Sequence, residues 1–460
     1  MSQVKPTEPI AAVILGAGKG TRMKSDLPKV LHKVASLSLI GHVIKSVEAL
    51  GADRVVAVAG PGMDNVKAEV APHQSVTQTT QLGTGDAVKA ALPVLQDFKN
   101  GTVLVLVGDA PFINTKSLQS LVLEREKGNA VVVLGFEAED PTGYGRLISD
   151  ENNKLSEIVE HKDATETQRA VNICNSGILA IDAAYLADFL SEINNENASG
   201  EYYLTDVVGI ARHHGLDCGL VVTSEEEVMG INSRVQLSQA ETIWQNKRRR
   251  EAMEQGATLT DPTTVYFAHD TKLGRDVIIG PNVVFGPAVE VSDHVEIKAF
   301  CHIEGAKIAS GCAIGPYARL RPGAVLAENA FVGNFVEIKN TQMGQGAKAS
   351  HLSYLGDSEI GAGSNIGAGT ITCNYDGFNK AKTVLGEGVF IGSNSSLVAP
   401  VHIGDGALVS AGSVITKDVE SDAMAFGRSP QKEKSGMAAK FRAIAKKKKE
   451  AAKAAKEEGK

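Results

Sequence analysis

The sequence predicts an α/β domain in the first half of the chain and a parallel β-helix in the second. Before residue 233, short apolar segments alternate with stretches of helical pattern, which is typical of α/β domains. From residue 273 to residue 415, aliphatic side chains recur at every sixth position. That period fits neither a single strand nor an α-helix.

The six-residue period is clearest in three runs of the second half. Their in-phase residues are Leu273, Ile279, Phe285, Val291, Ile297 and Ile303, then Ile308, Ile314, Leu320, Leu326, Val332 and Ile338, then Leu385, Ile391, Leu397, Ile403, Val409 and Ile415. Hexapeptide repeats form a parallel β-helix in which each short strand points one aliphatic side chain inward. Stacked coils share one core because a single coil cannot bury that side chain alone. The repeat falters between the second and third runs, and we expect the loops there to carry function.

Composition limits the class of protein. The chain has 460 residues, is 43% hydrophobic and 22% charged, and has a net charge of −7, which suits two or three globular domains and argues against nucleic-acid binding. The five cysteines are far apart and lack CxxC spacing, which argues against a zinc site or a disulfide framework. No signal-peptide pattern and no apolar run of about 20 residues is seen. We therefore expect a cytoplasmic protein that does not bind a membrane.

The first apolar segment, Ile10–Leu15, runs into a glycine-rich loop and then into Pro28-Lys29. Glycines let backbone N–H groups approach an anion closely, and a basic side chain neutralises it. Neither the GxGxxG fingerprint nor the Walker A pattern fits this loop. The pattern indicates a phosphate-binding loop of another type, and the alternative is an ordinary turn between a strand and a helix.

A second apolar segment, Thr102–Val107, ends at Gly108-Asp109. A carboxylate just past a buried parallel strand lies at the sheet edge where α/β proteins bind ligands, and Mg²⁺ prefers one or two carboxylates there. Between the two strands, Gln78 begins a loop that leads into a helix predicted over Ala87–Leu92. A glutamine side chain supplies both a donor and an acceptor, which suits a uracil edge.

Together these motifs resemble the sugar-nucleotide pyrophosphorylases, whose opening motif L-x-A-G-x-G-T-R-M is followed by P-K. The resemblance implies a Rossmann-like nucleotidyltransferase domain. The chain departs from the family pattern at Gly16, at Asp86, where we would expect histidine, and over residues 34–40. The resemblance assigns Leu15, Gly18, Lys19, Gln78, Gln81, Gly83 and Thr84 to the nucleotide, Lys29 and Arg22 to the phosphates and catalysis, Gly145, Glu160, Asn175 and Asn232 to the sugar phosphate, and Asp109 with Asn232 to Mg²⁺.

The second half narrows the resemblance to one subfamily. The sequences His351-Leu-Ser-Tyr354 and Asn374-Tyr375-Asp376 are similar to those of the bifunctional N-acetylglucosamine-1-phosphate uridylyltransferase / glucosamine-1-phosphate acetyltransferases. The likeness extends from Ile10 to about Gln431. It implies a left-handed β-helix and a homotrimer whose acetyl sites lie at subunit interfaces.

In that subfamily, His351 would be the general base, since an imidazole exchanges protons near neutral pH. Glu337 shares a strand face with Lys339, so we expect Glu337 to orient His351. The resemblance assigns Arg321, Lys339, Tyr354, Asn365 and Lys380 to the second sugar phosphate, and Asn374, Tyr375, Ser393, Ala411 and Arg428 to acetyl-CoA.

We therefore expect a nucleotidyltransferase domain over residues 10–233, a helical linker over 234–260, the β-helix over 261–431 and a helical or disordered basic tail over 432–460. Within the linker, Lys247–Arg250 is expected to be a solvated face. The expected substrates are glucosamine-1-phosphate, N-acetylglucosamine-1-phosphate, acetyl-CoA and UTP. Two alternatives stay open: a single-activity nucleotidyltransferase with a structural or regulatory β-helix, and a catalytically silent scaffold. The set of His351, Lys339, Arg321 and Asn374-Tyr375 argues against a purely structural β-helix. The intact Lys29, Asp109 and Asn232 argue against a silent scaffold.

Overall fold

A computed structural model of the chain describes residues 5–151, 154–197 and 199–458. Its internal contacts form two units, one of residues 1–272 and 284–289 and the other of residues 273–283 and 290–460. Each unit has its own layers of secondary structure. The predicted limits of the four segments stay a prediction.

The first unit is built on a mixed β-sheet. The strands of this unit are β1 (Ile10–Leu15), β2 (Lys33–Val34), β3 (Leu37–Ser38), β4 (Arg54–Ala59), β5 (Gln74–Thr77), β6 (Thr102–Val107), β7 (Val131–Glu137), β8 (Arg146–Ser149), β9 (Leu155–Val159), β10 (Ile173–Asp182), β11 (Cys218–Thr223) and β12 (Thr258–Leu259). The mixed sheet contains β1 and β4 to β11, whereas β2 and β3 form a separate two-stranded sheet. Its helices are α1 (Leu39–Leu50), α2 (Asp64–Val70), α3 (Thr84–Ala91), α4 (Thr115–Arg125), α5 (Glu166–Arg169), α6 (Leu186–Glu192), α7 (Asp206–His213) and α8 (Arg234–Glu254).

The strand order β11-β7-β10-β6-β1-β4-β5 places β1 at the centre of the sheet. β1 is parallel to β4 and β6, whereas β10 is antiparallel to β6 and β7. Ile10, Ala12 and Ile14 belong to one buried cluster, and Ala11 and Val13 belong to another. Both faces of the sheet are therefore covered, because successive side chains of a strand point to opposite faces.

The strands predicted at residues 10–15, 54–59 and 102–107 are confirmed. The predicted start of α3 at Ala87 is wrong, because the helix begins at Thr84. The Ala87 N–H already donates to the Gly83 carbonyl at 3.2 Å. Asp86 is consequently in the first helical turn, where the helix dipole favours a negative charge.

The basic segment of α8 also differs from the sequence prediction. Arg249 is only 7% exposed, and its Nε donates to the Val265 carbonyl at 2.8 Å. The Arg248 guanidinium lies 5.4 Å from the centre of the Phe267 ring, and burial lowers its pKa. The solvated face predicted for Lys247–Arg250 is therefore wrong at these two arginines, whose stems and guanidinium groups cover aromatic surface.

The second unit is a left-handed parallel β-helix with three faces. Strands β13 (Lys272–Leu273) and β15 (Val284–Phe285) begin the six-residue repeat in sequence, although β15 falls among the residues 284–289 that are grouped with the first unit. The first face contains β14 (Ile278–Ile279), β17 (Glu296–Ile297), β20 (Ala313–Ile314), β23 (Phe331–Asn334), β25 (Lys348–His351), β27 (Asn365–Ile366), β30 (Phe390–Ile391), β33 (Leu408–Val409) and β35 (Met424–Ala425). The second contains β18 (His302–Ile303), β21 (Arg319–Leu320), β24 (Glu337–Met343), β26 (Tyr354–Ile360), β28 (Ile371–Cys373), β31 (Ser396–Val398) and β34 (Val414–Ile415). The third contains β16 (Glu290–Val291), β19 (Ala306–Ile308), β22 (Ala324–Leu326), the far ends of β24 and β26, β29 (Thr383–Leu385) and β32 (Val401–Ile403).

The register of these strands explains the six-residue period. Ile279 pairs with Ile297, eighteen residues on, so one coil consists of three hexapeptides. Both side chains are fully buried. Ile366 pairs with Ile391, twenty-five residues on, and the additional residues form a loop closed by a bridge between Tyr375 and Lys380.

The tail forms helix α9 (Met437–Glu458), and its described side chains are exposed. The sequence left a helical and a disordered tail open; the helix that the structure shows suits its alanine, lysine and glutamate content. Among the helices in the described residues, none combines the length and the apolar character that crossing a bilayer requires.

The closeness of the coils makes a test of the β-helix possible at one glycine. A Cβ added to Gly333 would overlap the Ser350 carbonyl oxygen of the next coil. We expect Gly333→Ala to lower the free energy of unfolding by about 3 kcal/mol or more. Gly346 faces open space at φ +66°, so Gly346→Ala should cost only about 1–2 kcal/mol. Thermal unfolding measures both changes, and equal losses would contradict this packing.

Candidate functional site

A cavity of about 540 Å³ opens in the first unit where β1 and β6 end. The last residues of these strands, Leu15 and Val107, are part of its wall, as expected for the carboxyl edge of a parallel sheet. Residues that were predicted to bind the nucleotide or its phosphates and that line this cavity are Leu15, Gly18, Lys19, Lys29, Gln78, Gln81, Gly83 and Thr84. The predicted metal ligand Asp109 lines it too. Arg22 lies outside this lining, exposed on the short 3-10 helix Thr21–Met23.

Lys29 joins the two predicted metal ligands. Its ammonium forms a short ion pair with Asp109 and donates to Asn232 Oδ1 at 2.9 Å. The Ile231 N–H donates to the Asp109 backbone carbonyl at 3.0 Å and holds the two segments together. One carboxylate and one amide oxygen thus converge on one cation, and oxygen ligands of this kind fit Mg²⁺.

The glycine-rich loop packs directly on Lys29. Gly20 has φ +57°, and a Cβ added there would lie 2.7 Å from the Lys29 Cβ. A side chain at position 20 would therefore strain the backbone and displace the lysine. Gly18, in contrast, faces open space, which leaves its backbone accessible to a bound group.

The glutamine loop forms the opposite wall of this cavity. The Gln78 side chain is 5% exposed, and its Nε2 donates to the Gly83 carbonyl at 2.9 Å and to Asp86 Oδ2 at 2.7 Å. The Gln81 Nε2 donates to the Ala17 carbonyl of the glycine-rich loop. The two loops are therefore tied together by side chains that also line the cavity.

A second cavity of about 270 Å³ shares Leu15, Thr84, Val107 and Glu201 with the first. Its wall includes Glu160 and Asn175, two of the predicted sugar contacts.

Gly145 lies between these two residues. Its carbonyl accepts from the Asn175 N–H at 2.9 Å, and its Cα faces the Glu160 carboxylate. Burial, and then the charges of Asp163 and Asp206, raise the pKa of Glu160. The structure thus brings three of the four predicted sugar-phosphate residues together. Glu201 lines both cavities but was not predicted as a site residue, because its sequence context indicates only the start of a helix.

In the second unit, His351 lies at the corner after the first face. Its Nδ1 is 2.6 Å from Asn334 Oδ1 in the preceding coil. An amide oxygen only accepts hydrogen bonds, so Nδ1 carries the proton and Nε2 keeps its lone pair. Asn334 therefore prepares His351 to accept a proton at Nε2.

The prediction that Glu337 orients His351 is wrong. Glu337 Oε1 accepts from Arg321 at 2.9 Å, and Glu337 Oε2 is 3.8 Å from Arg319. Arg319 pairs with Glu337 on the second face, and Arg321 directly follows that strand. The two arginines therefore bind the Glu337 carboxylate, and the Asn334 amide at the corner contacts His351 instead.

The predicted acetyl-CoA residues Ser393 and Ala411 are in the same column as His351. The register pairs Ala349 with Ile366, Ile366 with Ile391 and Ile391 with Val409, so the residues two positions later stack along one corner. Val409 pairs with Ala425, so the next position of this column is Gly427. Arg428 follows Gly427, and its Cδ is 3.8 Å from a Cβ added to Gly412. The exposed Tyr375 and the buried Asn374 are on the long loop instead.

The predicted sugar-phosphate residues of the second unit lie mainly along the second face. Lys339 pairs with Gly356, two residues after Tyr354. Lys380 lines a cavity of about 270 Å³ together with Asp357.

Burial alone would raise the pKa of Asp357. Hydrogen bonds from Asn340 and Asn374 and the charges of Lys339 and Lys380 outweigh it, so the pKa is lowered. Asp357 is therefore hydrogen-bonded to two amides within the field of Lys339 and Lys380, whereas Asn365 lies on the first face.

Comparison with known proteins agrees with this two-unit arrangement. Residues 12–171 match the MobA-like NTP transferase domain, and residues 382–417 match the bacterial transferase hexapeptide family of six repeats.

Relatives named "Bifunctional protein GlmU" align along nearly the whole chain. The protein from Rhodospirillum rubrum is 56% identical over 94% of this chain and 97% of its own length. The protein from Zymomonas mobilis is 51% identical over 96% of this chain and 99% of its own length. The protein from Roseobacter denitrificans is 52% identical over 94% and 96%, respectively.

Proposed function

The chain belongs to the bifunctional GlmU family, and we propose that its two units hold the two active sites of that family. It is a bifunctional transferase of UDP-N-acetylglucosamine synthesis. It acetylates glucosamine-1-phosphate with acetyl-CoA, and it transfers UMP from UTP to N-acetylglucosamine-1-phosphate with release of pyrophosphate. The observation that carries the assignment of sites is the convergence of Lys29, Asp109 and Asn232 in one unit and of Asn334 and His351 in the other.

The first site performs the uridylyl transfer. A phosphate oxygen of the sugar-1-phosphate attacks the α-phosphorus of UTP, and the bond to pyrophosphate breaks. This reaction needs positioning and charge neutralisation more than covalent help. Lys19 and Lys29 line the larger cavity and neutralise the phosphates, whereas Glu160 and Asn175 hold the sugar in the adjoining one.

We propose that Asp109 and Asn232 hold Mg²⁺ in this site. Their oxygens already meet one cation, the Lys29 ammonium. A bound Mg²⁺ would stabilise the negative charge that develops on the phosphate oxygens. With Mg²⁺ on these two oxygens, the Lys29 ammonium would be available to neutralise the phosphates. Arg22 stays assigned to the phosphates as part of this proposal.

The second site performs the acetyl transfer. The nitrogen of the sugar's 2-amino group attacks the thioester carbonyl of acetyl-CoA, and His351 Nε2 takes the proton that this nitrogen loses. The carbon–sulfur bond breaks and the CoA thiolate leaves. The cations Arg321, Lys339 and Lys380 bind the sugar phosphate, and Tyr354 and Asn365 stay assigned to the same substrate as part of this proposal. Asn374, Tyr375, Ser393, Ala411 and Arg428 bind acetyl-CoA.

We also propose that the chain works in the cytoplasm as a homotrimer. Phe300, Tyr317 and Phe335 form an exposed stack along one corner of the β-helix, with ring centres 4.8 and 5.1 Å apart. Each ring is about half exposed, and Leu352, next to His351, continues this column at 61% exposure. An apolar column of this kind is typical of a protein interface, and it would place an interface beside the acetyl-transfer base.

The separation of the two sites can be tested with one variant in each. Asp109→Asn keeps the shape of the side chain but removes its charge, so we expect uridylyl transfer to fall by about 100- to 1,000-fold. His351→Ala removes the base, so acetyl transfer should fall by about 100- to 10,000-fold. Pyrophosphate release and CoA thiol release measure the two rates, and each variant should keep the other activity. Equal loss of both activities in either variant would contradict two independent sites.

A second pair of variants distinguishes the residue that orients His351. Asn334→Leu removes the Nδ1 partner, so we expect the kcat of acetyl transfer to fall roughly 10- to 100-fold with little change in KM. Asn334→Asp keeps an accepting oxygen and should recover most of this loss. Glu337→Gln weakens the contact with Arg321 and should act mainly on the KM for the sugar phosphate. A larger kcat loss in Glu337→Gln than in Asn334→Leu would restore Glu337 as the orienting residue.

A further inference from the structure

Asp86 is the centre of the glutamine loop, although the family resemblance predicts a histidine there. Its Oδ2 accepts from Gln78 Nε2 at 2.7 Å, from the Leu82 N–H at 3.2 Å and from Thr80 Oγ1 at 3.3 Å. One carboxylate oxygen therefore connects three residues of the loop.

These contacts decide which end of the Gln78 amide faces the cavity. Nε2 of Gln78 meets Asp86 Oδ2 and also the Gly83 carbonyl oxygen at 2.9 Å. Both of these oxygens only accept hydrogen bonds, so the atom between them must be the NH₂ nitrogen. Gln78 lines the cavity, and its Oε1 accepts no hydrogen bond from the residues that the structure describes. The amide therefore presents an acceptor to a bound base.

The alternative orientation of this amide is unfavourable. If the Gln78 amide turned over, its Oε1 would face Asp86 Oδ2 and the Gly83 carbonyl without a proton between them. The charged oxygen contributes more to this preference than the carbonyl does, because hydrogen bonds to ionised groups are the stronger ones. Asp86 is itself favoured in the first turn of α3, where the helix dipole attracts negative charge.

We infer that Asp86 is a positioning residue that fixes the Gln78 amide and thereby sets the pyrimidine preference of the first site. The inference rests on the proposed uridylyl transfer. Ribose and triphosphate hold the base in one register, so the Gln78 acceptor faces one ring position. Uracil carries a proton at N3, and this N3–H donates a hydrogen bond to the Gln78 acceptor. Cytosine has a lone pair at N3, and two acceptors then face each other.

The test compares the unaltered chain with Asp86→Leu and Asp86→Asn. UTP and CTP compete in one reaction with N-acetylglucosamine-1-phosphate and Mg²⁺, and the ratio of the two UDP- and CDP-sugar products gives the ratio of kcat/KM values. Both nucleotides compete for the same enzyme molecules, so a variant that folds less well does not change this ratio.

Asp86→Leu removes the accepting oxygen, and we expect the preference for UTP over CTP to fall about 10-fold or more. Asp86→Asn can place its amide oxygen where Oδ2 lies, so it should keep most of the preference. An unchanged preference in Asp86→Leu would overturn the inference. Equal loss in both variants would also overturn it, since the accepting oxygen is retained in Asp86→Asn. If the unaltered chain used neither nucleotide, the proposed function of the first site would fail, whatever Asp86 does.

Discussion

The fixed register between coils is the constraint on which the second unit depends. Each inward aliphatic residue is buried only because the next coil places its own aliphatic residue in line with it. Ile279, Ile297 and Ile314 show this alignment in three successive coils. The same register aligns the outward residues in columns, so residues far apart in sequence become neighbours along one edge. His351 and Asn334 meet for this reason, seventeen residues apart but adjacent in space.

In the first unit, a different constraint brings residues that are distant in sequence together. A sheet buried on both faces leaves only its edges open for ligands, and β1 and β6 end side by side at one edge. Lys29, Asp109 and Asn232 come from three distant segments, and they converge there because loops that follow neighbouring strands share that edge. The Lys29 ammonium and the Asp109 carboxylate are only 16% and 15% exposed, so each supplies the opposite charge that the other needs.

Much of this arrangement follows from patterns in the sequence. The period of six predicts the β-helix because every coil repeats the same inward position. The glycine-rich loop and Asp109 predict a ligand site at the carboxyl edge of the sheet. Contacts at corners were harder to predict. The alternation of residues along a strand places Glu337 beside Lys339, but it contains no information on the corner, where Asn334 meets His351. Arg249 was likewise expected in solvent, because its burial depends on a backbone carbonyl and an aromatic ring of a segment that follows α8.

The central claim is that the β-helix is an active site and not only a structural unit. The most direct test is the release of CoA thiol from acetyl-CoA with glucosamine-1-phosphate as acceptor and no nucleotide present. We predict release that depends on this sugar phosphate and does not require UTP, because His351 and the acetyl-CoA column belong to the second unit alone. No release, in a preparation that still forms pyrophosphate from UTP and N-acetylglucosamine-1-phosphate, would contradict the account and favour a nucleotidyltransferase with a structural β-helix.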